Sequence, residues 1–277
     1  MAATMRVTRI GGRDFLWGSR TYVMGIVNVT PDSFSGDGLM DLEAAVTRAR
    51  QMEEEGADLL DIGGESTRPE TWSAPGLPEA NELARVLPII EAVVDAVSIP
   101  LSIDTYKSEV AARAIAAGAS LVNDVWGLKR DPKMAASVER AGVPVVLMHN
   151  QPGGGYRELI SDIADGLQES VQLARSAGIR DERLILDPGI GFGKTREENL
   201  EIIRRLPELR ALGFPVLIGP SRKSFIGKTL DLPVGERLEG TAAAVALGIA
   251  GGADIVRVHD VKPMVRVARM ADAIVRA

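Results

Sequence analysis

The chain predicts a (β/α)8 TIM barrel carrying an N-terminal β-hairpin, with residues 1–277 forming one domain. Three observations carry that prediction. Eight short runs rich in Val, Ile and Leu recur along the 277 residues. Longer stretches with apolar residues at helical spacing lie between them, as in DLEAAVTRARQMEEEG and EVAARAIAAG. A glycine precedes six of the runs closely: Gly56, Gly118, Gly142, Gly178, Gly213 and Gly252. Glycine just past a helix end accepts the left-handed conformation that stops the helix. Helix, glycine, strand is therefore a repeated unit.

The elements follow in order. Residues 6–20 precede the first run, and RVTRI, GG and RDFLW read as a hairpin able to close the bottom of a barrel. The runs are YVMGIVNV (22–29), ADLLDIGG (57–64), IPLSIDT (99–105), ASLVNDV (119–125), VPVVLMHN (143–150), RLILDPG (183–189), FPVLIGPS (214–221) and ADIVRVHD (253–260). Nearly continuous apolar strands indicate burial on both faces, as in a parallel sheet. Eight such units favour a closed barrel over a doubly wound open sheet. The segments after the second and fifth runs read as loops, least regular at Pro69–Pro78 and Pro152–Gly155.

Composition narrows the function. A net charge of −6 without blocks of like charge argues against nucleic-acid binding. The absence of cysteine excludes disulfides and thiolate metal sites. MAATMRVTRIGGRDFL lacks the apolar core of a signal peptide. The longest apolar stretches, such as Ala242–Ala250, are too short to span a bilayer. A soluble, cytoplasmic protein without membrane partners is expected.

In such a barrel, chemistry sits where the strands end. The ends carry Asn28, Asp61, Asp104, Asn123 with Asp124, Met148 with His149, Asp187, then Ser221 to Ser224, and Arg257, His259 and Asp260. Buried polar groups are costly unless paired, so a set at every strand end points to a site. Lys223, Arg257 and His259 gather after the seventh and eighth strands, the usual phosphate corner of these barrels. Carboxylates and an amide facing that corner suit a flat ring with adjacent N–H donors and a phosphorylated arm. Two features are set aside. DPGIGFGKT fails the P-loop spacing because Pro188 stands where its first glycine belongs; its glycines are read as letting backbone approach a ligand. The GGG at 153–155 reads as loop, and His149 as a residue bracing one.

These residues carry a resemblance. MGIVNVTPDSFS, DIGGESTRP, SIDT, NDV, LMH, DPGIGFGK, SRKSFIG and RVHD, in that order, resemble dihydropteroate synthases from about residue 22 onward. The resemblance implies a barrel that joins 4-aminobenzoate to 6-hydroxymethyl-7,8-dihydropterin diphosphate, releasing diphosphate, with Mg2+. It implies that Asp104, Asn123, Asp187 and Lys223 hold the pterin. Met148, Phe192 and Gly219 would line its pocket and Arg257 would stack on it. Asn28, Arg257 and His259 would hold diphosphate, and Asn28 the metal. Asp104, Lys223, Arg257 and His259 would be the catalytic groups. Thr67, Arg68, Pro69 and Ser224 would shape the 4-aminobenzoate site, Asp61 would brace the loop after the second strand, and the protein would be a homodimer.

The resemblance also gives Phe34 a use. This large ring sits among small polar residues in NVTPDSFSGDG, where turn chemistry offers no reason for it. As part of a closing loop it would cover the second substrate and keep out water. Three departures touch loop geometry: Ser35-Gly36-Asp37-Gly38 displaces the family's acidic residue by one, Glu70 replaces a common glycine, and Trp126 replaces a small residue. Two other readings use the same pocket: a pterin-binding, corrinoid-dependent methyltransferase, which would not need SRKS or STRP, and a non-catalytic pterin-binding paralogue.

Overall fold

A computed structural model describes residues 7–29, 38–65 and 76–276. The chain opens on an antiparallel hairpin of β1 (Val7–Ile10) and β2 (Arg13–Leu16), with Ile10 opposite Arg13. Gly11 and Gly12 make its turn at φ of +55° and +82°, values that suit a two-residue hairpin. Eight parallel strands follow: β3 (Tyr22–Asn28), β4 (Leu59–Gly63), β5 (Leu101–Asp104), β6 (Leu121–Asp124), β7 (Val145–Met148), β8 (Leu184–Asp187), β9 (Leu217–Ile218) and β10 (Ile255–Val258). Their order is β8-β7-β6-β5-β4-β3-β10-β9. The ends of that order meet through a Leu186–Val216 bridge and a 2.9 Å bond from the Leu186 N–H to the Pro215 carbonyl. β9 is short because Pro215 and Pro220 flank it, and proline has no N–H to offer a sheet.

The helices form the outer layer: α1 (Gly38–Glu54), α2 (Glu79–Val94), α3 (Ser108–Ala116), α4 (Met134–Ala141), α5 (Leu159–Ser176), α6 (Arg196–Arg204), α7 (Leu206–Arg210), α8 (Ser224–Leu230), α9 (Leu238–Ala250) and α10 (Val261–Val275). The repeat expected one helix per strand. Two units differ: Pro207 starts α7 as a separate turn after α6, and Asp231, left-handed at φ +57°, ends α8 before Pro233 and α9. The six punctuating glycines behave as expected. All have positive φ, and each N–H returns to the carbonyl three residues earlier, as from Gly118 to Ile115 at 3.0 Å. Among the described residues no helix is long and apolar enough to cross a membrane.

The inward faces of the strands fill the barrel. Tyr22, Met24, Leu59, Leu121, Val146, Ile185, Leu217 and Ile255 form one buried cluster with Ile10, Phe15 and Trp17 of the hairpin segment. The hairpin is thus the floor of the barrel. The Phe15 and Tyr22 rings lie 4.6 Å apart, and the Trp17 Nε1–H donates to Thr8 Oγ1 at 2.8 Å. Side chains alternate across a strand, so the next inward position lies two residues on. There the apolar floor gives way to Asp61, Asn123, Met148, Asp187, Gly219 and Arg257.

Candidate active site

That upper layer is a buried ionic cluster. Arg257 donates from Nε to Asp61 Oδ2 at 2.6 Å and from Nη2 to Asp104 Oδ2 at 2.7 Å. Asn123 Nδ2 also donates to Asp61 Oδ2, at 2.9 Å. Asp61, Asp104, Asn123 and Asp187 are all buried. The second oxygens of Asp61 and Asp104, and Ser102 Oγ beside them on β5, have no hydrogen-bond partner among the described residues. Leaving acceptors stranded in a core is expensive, and such groups await a donor-bearing ligand or water.

Burial distorts the titration of the cluster. Asp104 is pushed up to about 7 by desolvation, which Arg257 opposes and the neighbouring Asp61 reinforces. Burial also raises Asp187, against the Gly189 N–H that donates to its Oδ1 at 2.7 Å and the charge of Lys223. Lys223 is pulled down to about 7 by burial, with Asp187 opposing. Burial works against the charge of Arg257, but Asp61 and Asp104 outweigh it and hold the guanidinium protonated.

The walls are apolar. Val125, Met148 and Phe192 form a separate buried cluster, with Trp126 packed against it. The Lys223 ammonium lies 4.1 Å over the Phe192 ring and donates to the Ile190 carbonyl. A Cβ on Gly219 would come within 3.8 Å of Arg257 Cβ, which places this strand end beside the arginine. Trp126 is tolerated where a small residue was expected because Arg130 stacks 4.5 Å over its ring and 4.6 Å over Tyr106.

At the cationic corner, His259 is held by Ser221. The His259 backbone N–H donates to Ser221 Oγ at 3.1 Å, and that hydroxyl lies 3.0 Å from His259 Nδ1. The Ser221 hydroxyl keeps its own proton free to donate to Nδ1, and in that tautomer Nε2–H is the imidazole's donor. Burial, with Arg257 next, depresses His259 to about 4, so this donor is neutral at pH 7. Arg222 turns away and pairs with Asp260 at 2.5 Å. Asn28 is exposed at the end of β3, and Ser224 is exposed as the first residue of α8, next to Lys223.

The structure thus brings together Asp104, Asn123, Met148, Asp187, Phe192, Gly219, Lys223, Arg257 and His259. Phe34, Thr67, Arg68 and Pro69, with Asp37 and Glu70, lie outside the described residues. The stem beyond the latter segment is pinned: Glu65 accepts from the Leu77 N–H at 3.0 Å and from Lys107 Nζ at 2.6 Å. Among the described residues the bonds of Asp61 run across the barrel to Arg257 and Asn123; most of the loop after β4 that it was expected to brace lies outside those residues. One expectation needs correction. The glycines of DPGIGFGK were expected to admit a ligand. A Cβ on Gly191 would instead lie 2.2 Å from Lys223 Cδ, and one on Gly189 2.1 Å from the His149 carbonyl. They admit the protein's own lysine and backbone. His149 is buried, and its Nδ1 lies 3.4 Å from Lys194 Nζ in the segment after β8, a lysine that donates to the Gly189 and Phe192 carbonyls. Lys194 and Ser221 were missed in these roles; a lysine inside a glycine-rich loop and a serine two residues before Lys223 were the available signals.

Residues 24–259 match the family described as pterin binding enzyme. A dihydropteroate synthase of Clostridium beijerinckii is 50% identical over 97% of this chain and 99% of its own. A dihydropteroate synthase from Clostridium difficile, solved in the presence of pteroic acid, superposes with a TM-score of 0.91 at 48% identity, covering 94% of this chain and 99% of that one. One from Xanthomonas albilineans, solved with 4-aminobenzoic acid, also gives 0.91, at 43% identity and 98% coverage of both chains.

Proposed function

The chain belongs to the dihydropteroate synthases, and from that premise we propose how its own side chains do the work. The reaction is the condensation of 6-hydroxymethyl-7,8-dihydropterin diphosphate with 4-aminobenzoate to give 7,8-dihydropteroate and diphosphate. The observation that carries the assignment of the site is the buried acceptor layer facing a cationic corner. A pterin presents an amino group and ring N–H side by side, which complements a carboxylate layer in which Asp104 keeps one oxygen without a partner among the described residues. Asp104, Asn123, Asp187 and Lys223 take the ring edge, Met148 and Phe192 its faces, and Gly219 leaves room beside Arg257, which stacks on it. Arg257, His259 and Asn28 take the diphosphate, His259 through its neutral Nε2–H.

Breaking the C–O bond at the pterin methylene leaves a cation spread into the ring and a diphosphate anion. Asp104 is placed to favour the positive charge, and Arg257 and His259 to favour the departing negative one. The amine of 4-aminobenzoate then attacks the methylene carbon and gives up one N–H proton to the departing diphosphate or to solvent, so no protein nucleophile is required. Ser224, together with Thr67, Arg68, Pro69 and Phe34 outside the described residues, is assigned by this reading to binding the second substrate.

The donor set fits Mg2+ in one way only. Among the described residues no group of three His, Asp or Glu side chains could hold a metal. A single amide oxygen at Asn28 suits an ion that keeps its waters and takes its remaining ligands from substrate phosphate. Bound there, Mg2+ would neutralise charge on the diphosphate arm. We place the chain in the cytoplasm, as one barrel domain that works as a homodimer. α9 is apolar on most of its faces, with Glu239 its one charged residue, and it leaves Leu247 63% exposed. The neighbouring α10 exposes Met270 and Ile274.

The test is diphosphate release measured with and without 4-aminobenzoate, with dihydropteroate followed in parallel. Amine-dependent release matched by product is expected. Release that ignores the amine, or pterin binding without release, overturns the reading.

A further inference from the structure

We propose that Asp61 is a positioning residue for the pterin site: its carboxylate fixes which way the Asn123 amide faces and where the Arg257 guanidinium rests. This deepens the reading of the site given above and rests on it. Asp61 stands on the inward face of β4, fully buried, with Leu59 of the floor two residues before it. One oxygen, Oδ2, accepts from both Asn123 Nδ2 and Arg257 Nε, at 2.9 and 2.6 Å. The other has no partner among the described residues.

An ionised carboxylate can only accept hydrogen bonds. An asparagine beside it must therefore turn its NH2 toward it, and the carbonyl oxygen of Asn123 is left to face the other way. The two ends of an amide are close to isosteric, so packing alone does not choose between them. The choice matters in this pocket. With Oδ1 outward, Asn123 adds an acceptor to those of Asp104 and Asp187 and matches a ligand edge made of donors. With the amide reversed, an N–H would meet an N–H. The same oxygen restrains Arg257 at Nε and leaves the guanidinium plane spanning Asp61 and Asp104. Asp61 thus sets two site residues from the far side, without itself being needed at the ligand.

The experiment is a double-mutant cycle with Asp61→Ala and Asn123→Ala, read by calorimetric binding of pteroic acid, which carries no diphosphate. In the wild-type background Asp61→Ala should weaken binding by about 10- to 100-fold, the scale for stranding a buried ligand donor. In the Asn123→Ala background the same change should cost clearly less, about three- to tenfold, because only the restraint on Arg257 is left to lose. Equal losses in both backgrounds would overturn the proposal and make Asp61 a structural residue. Asp61→Asn covers the case in which alanine fails to fold. Its amide oxygen can still accept both bonds, so it should retain most of the binding that alanine loses. If Asp61→Asn binds as poorly as Asn123→Ala while its melting temperature is unchanged, acceptor geometry is not what matters and the proposal fails. Failure of the functional reading itself looks different: the wild-type protein would not bind pteroic acid.

Discussion

Leu59, Leu121, Ile185 and Ile255 close the lower end of the barrel, while Asp61, Asn123, Asp187 and Arg257 stand two residues further along the same four strands. Both sets face inward and both are buried or nearly so. The lower set is packed over Phe15 and Trp17 and gains from removing apolar surface from water. The upper set has two carboxylates, Asp61 and Asp187, and Asp104 of β5 lies against them; Asp61 and Asp104 each keep one oxygen without a hydrogen-bond partner among the described residues. One step of the strand register separates residues that stabilise the fold from residues whose burial opposes it. The barrel tolerates the upper layer because helices and floor hold the strands in place regardless. On the function proposed above, the layer is kept because its unsatisfied acceptors would bind a donor-rich ring.

This contrast can be broken from either side. Leu121→Ala, in the floor, should cost about 2–5 kcal/mol of stability by leaving a cavity. Urea denaturation would measure it, and pterin affinity of the folded protein should be unchanged. A loss of affinity without a loss of stability at Leu121 would mean that the two layers are not separable.

A smaller effect sharpens the contrast from above. Because burial raises Asp104 from 3.8 to about 7, the folded state binds a proton there that the unfolded chain has released. The stability that Asp104 contributes is present below 3.8 and is lost as pH rises through about 7. Asparagine does not titrate. The stability of the wild type minus that of Asp104→Asn should therefore fall across this window in paired urea titrations at its two ends. A difference that rises with pH would show that Arg257, not burial, controls this carboxyl.

The strand ends were readable in the sequence because each is a local event. VNDV and LILDPG stop being apolar at a definite residue, and six glycines mark the helix ends with a backbone requirement that sequence reports directly. The hairpin floor was legible from two glycines between two short runs. The partnerships were not. Residues 61, 123 and 257 share one oxygen only because β4, β6 and β10 are bent into one barrel, and no local pattern encodes that distance. The same holds for Gly191, whose missing Cβ is filled by a lysine 32 residues away. One signal was present: Leu59 and Asp61, like Leu121 and Asn123, differ by two and so share a face, which places Asp61 inside the barrel and not in the loop above it.

The most direct test of the account is Asp187→Asn, with pteroic acid affinity by calorimetry and urea stability measured on the same protein. Burial disfavours the anion at Asp187, and the amide can still accept from the Gly189 N–H, so stability should be unchanged or higher at pH 7. Pterin affinity should fall by about 2–4 kcal/mol, because a donor replaces an acceptor opposite the ring N–H groups. Unchanged affinity, or a stability loss like that of Leu121→Ala, would contradict the claim that this layer is built for binding at the expense of the fold.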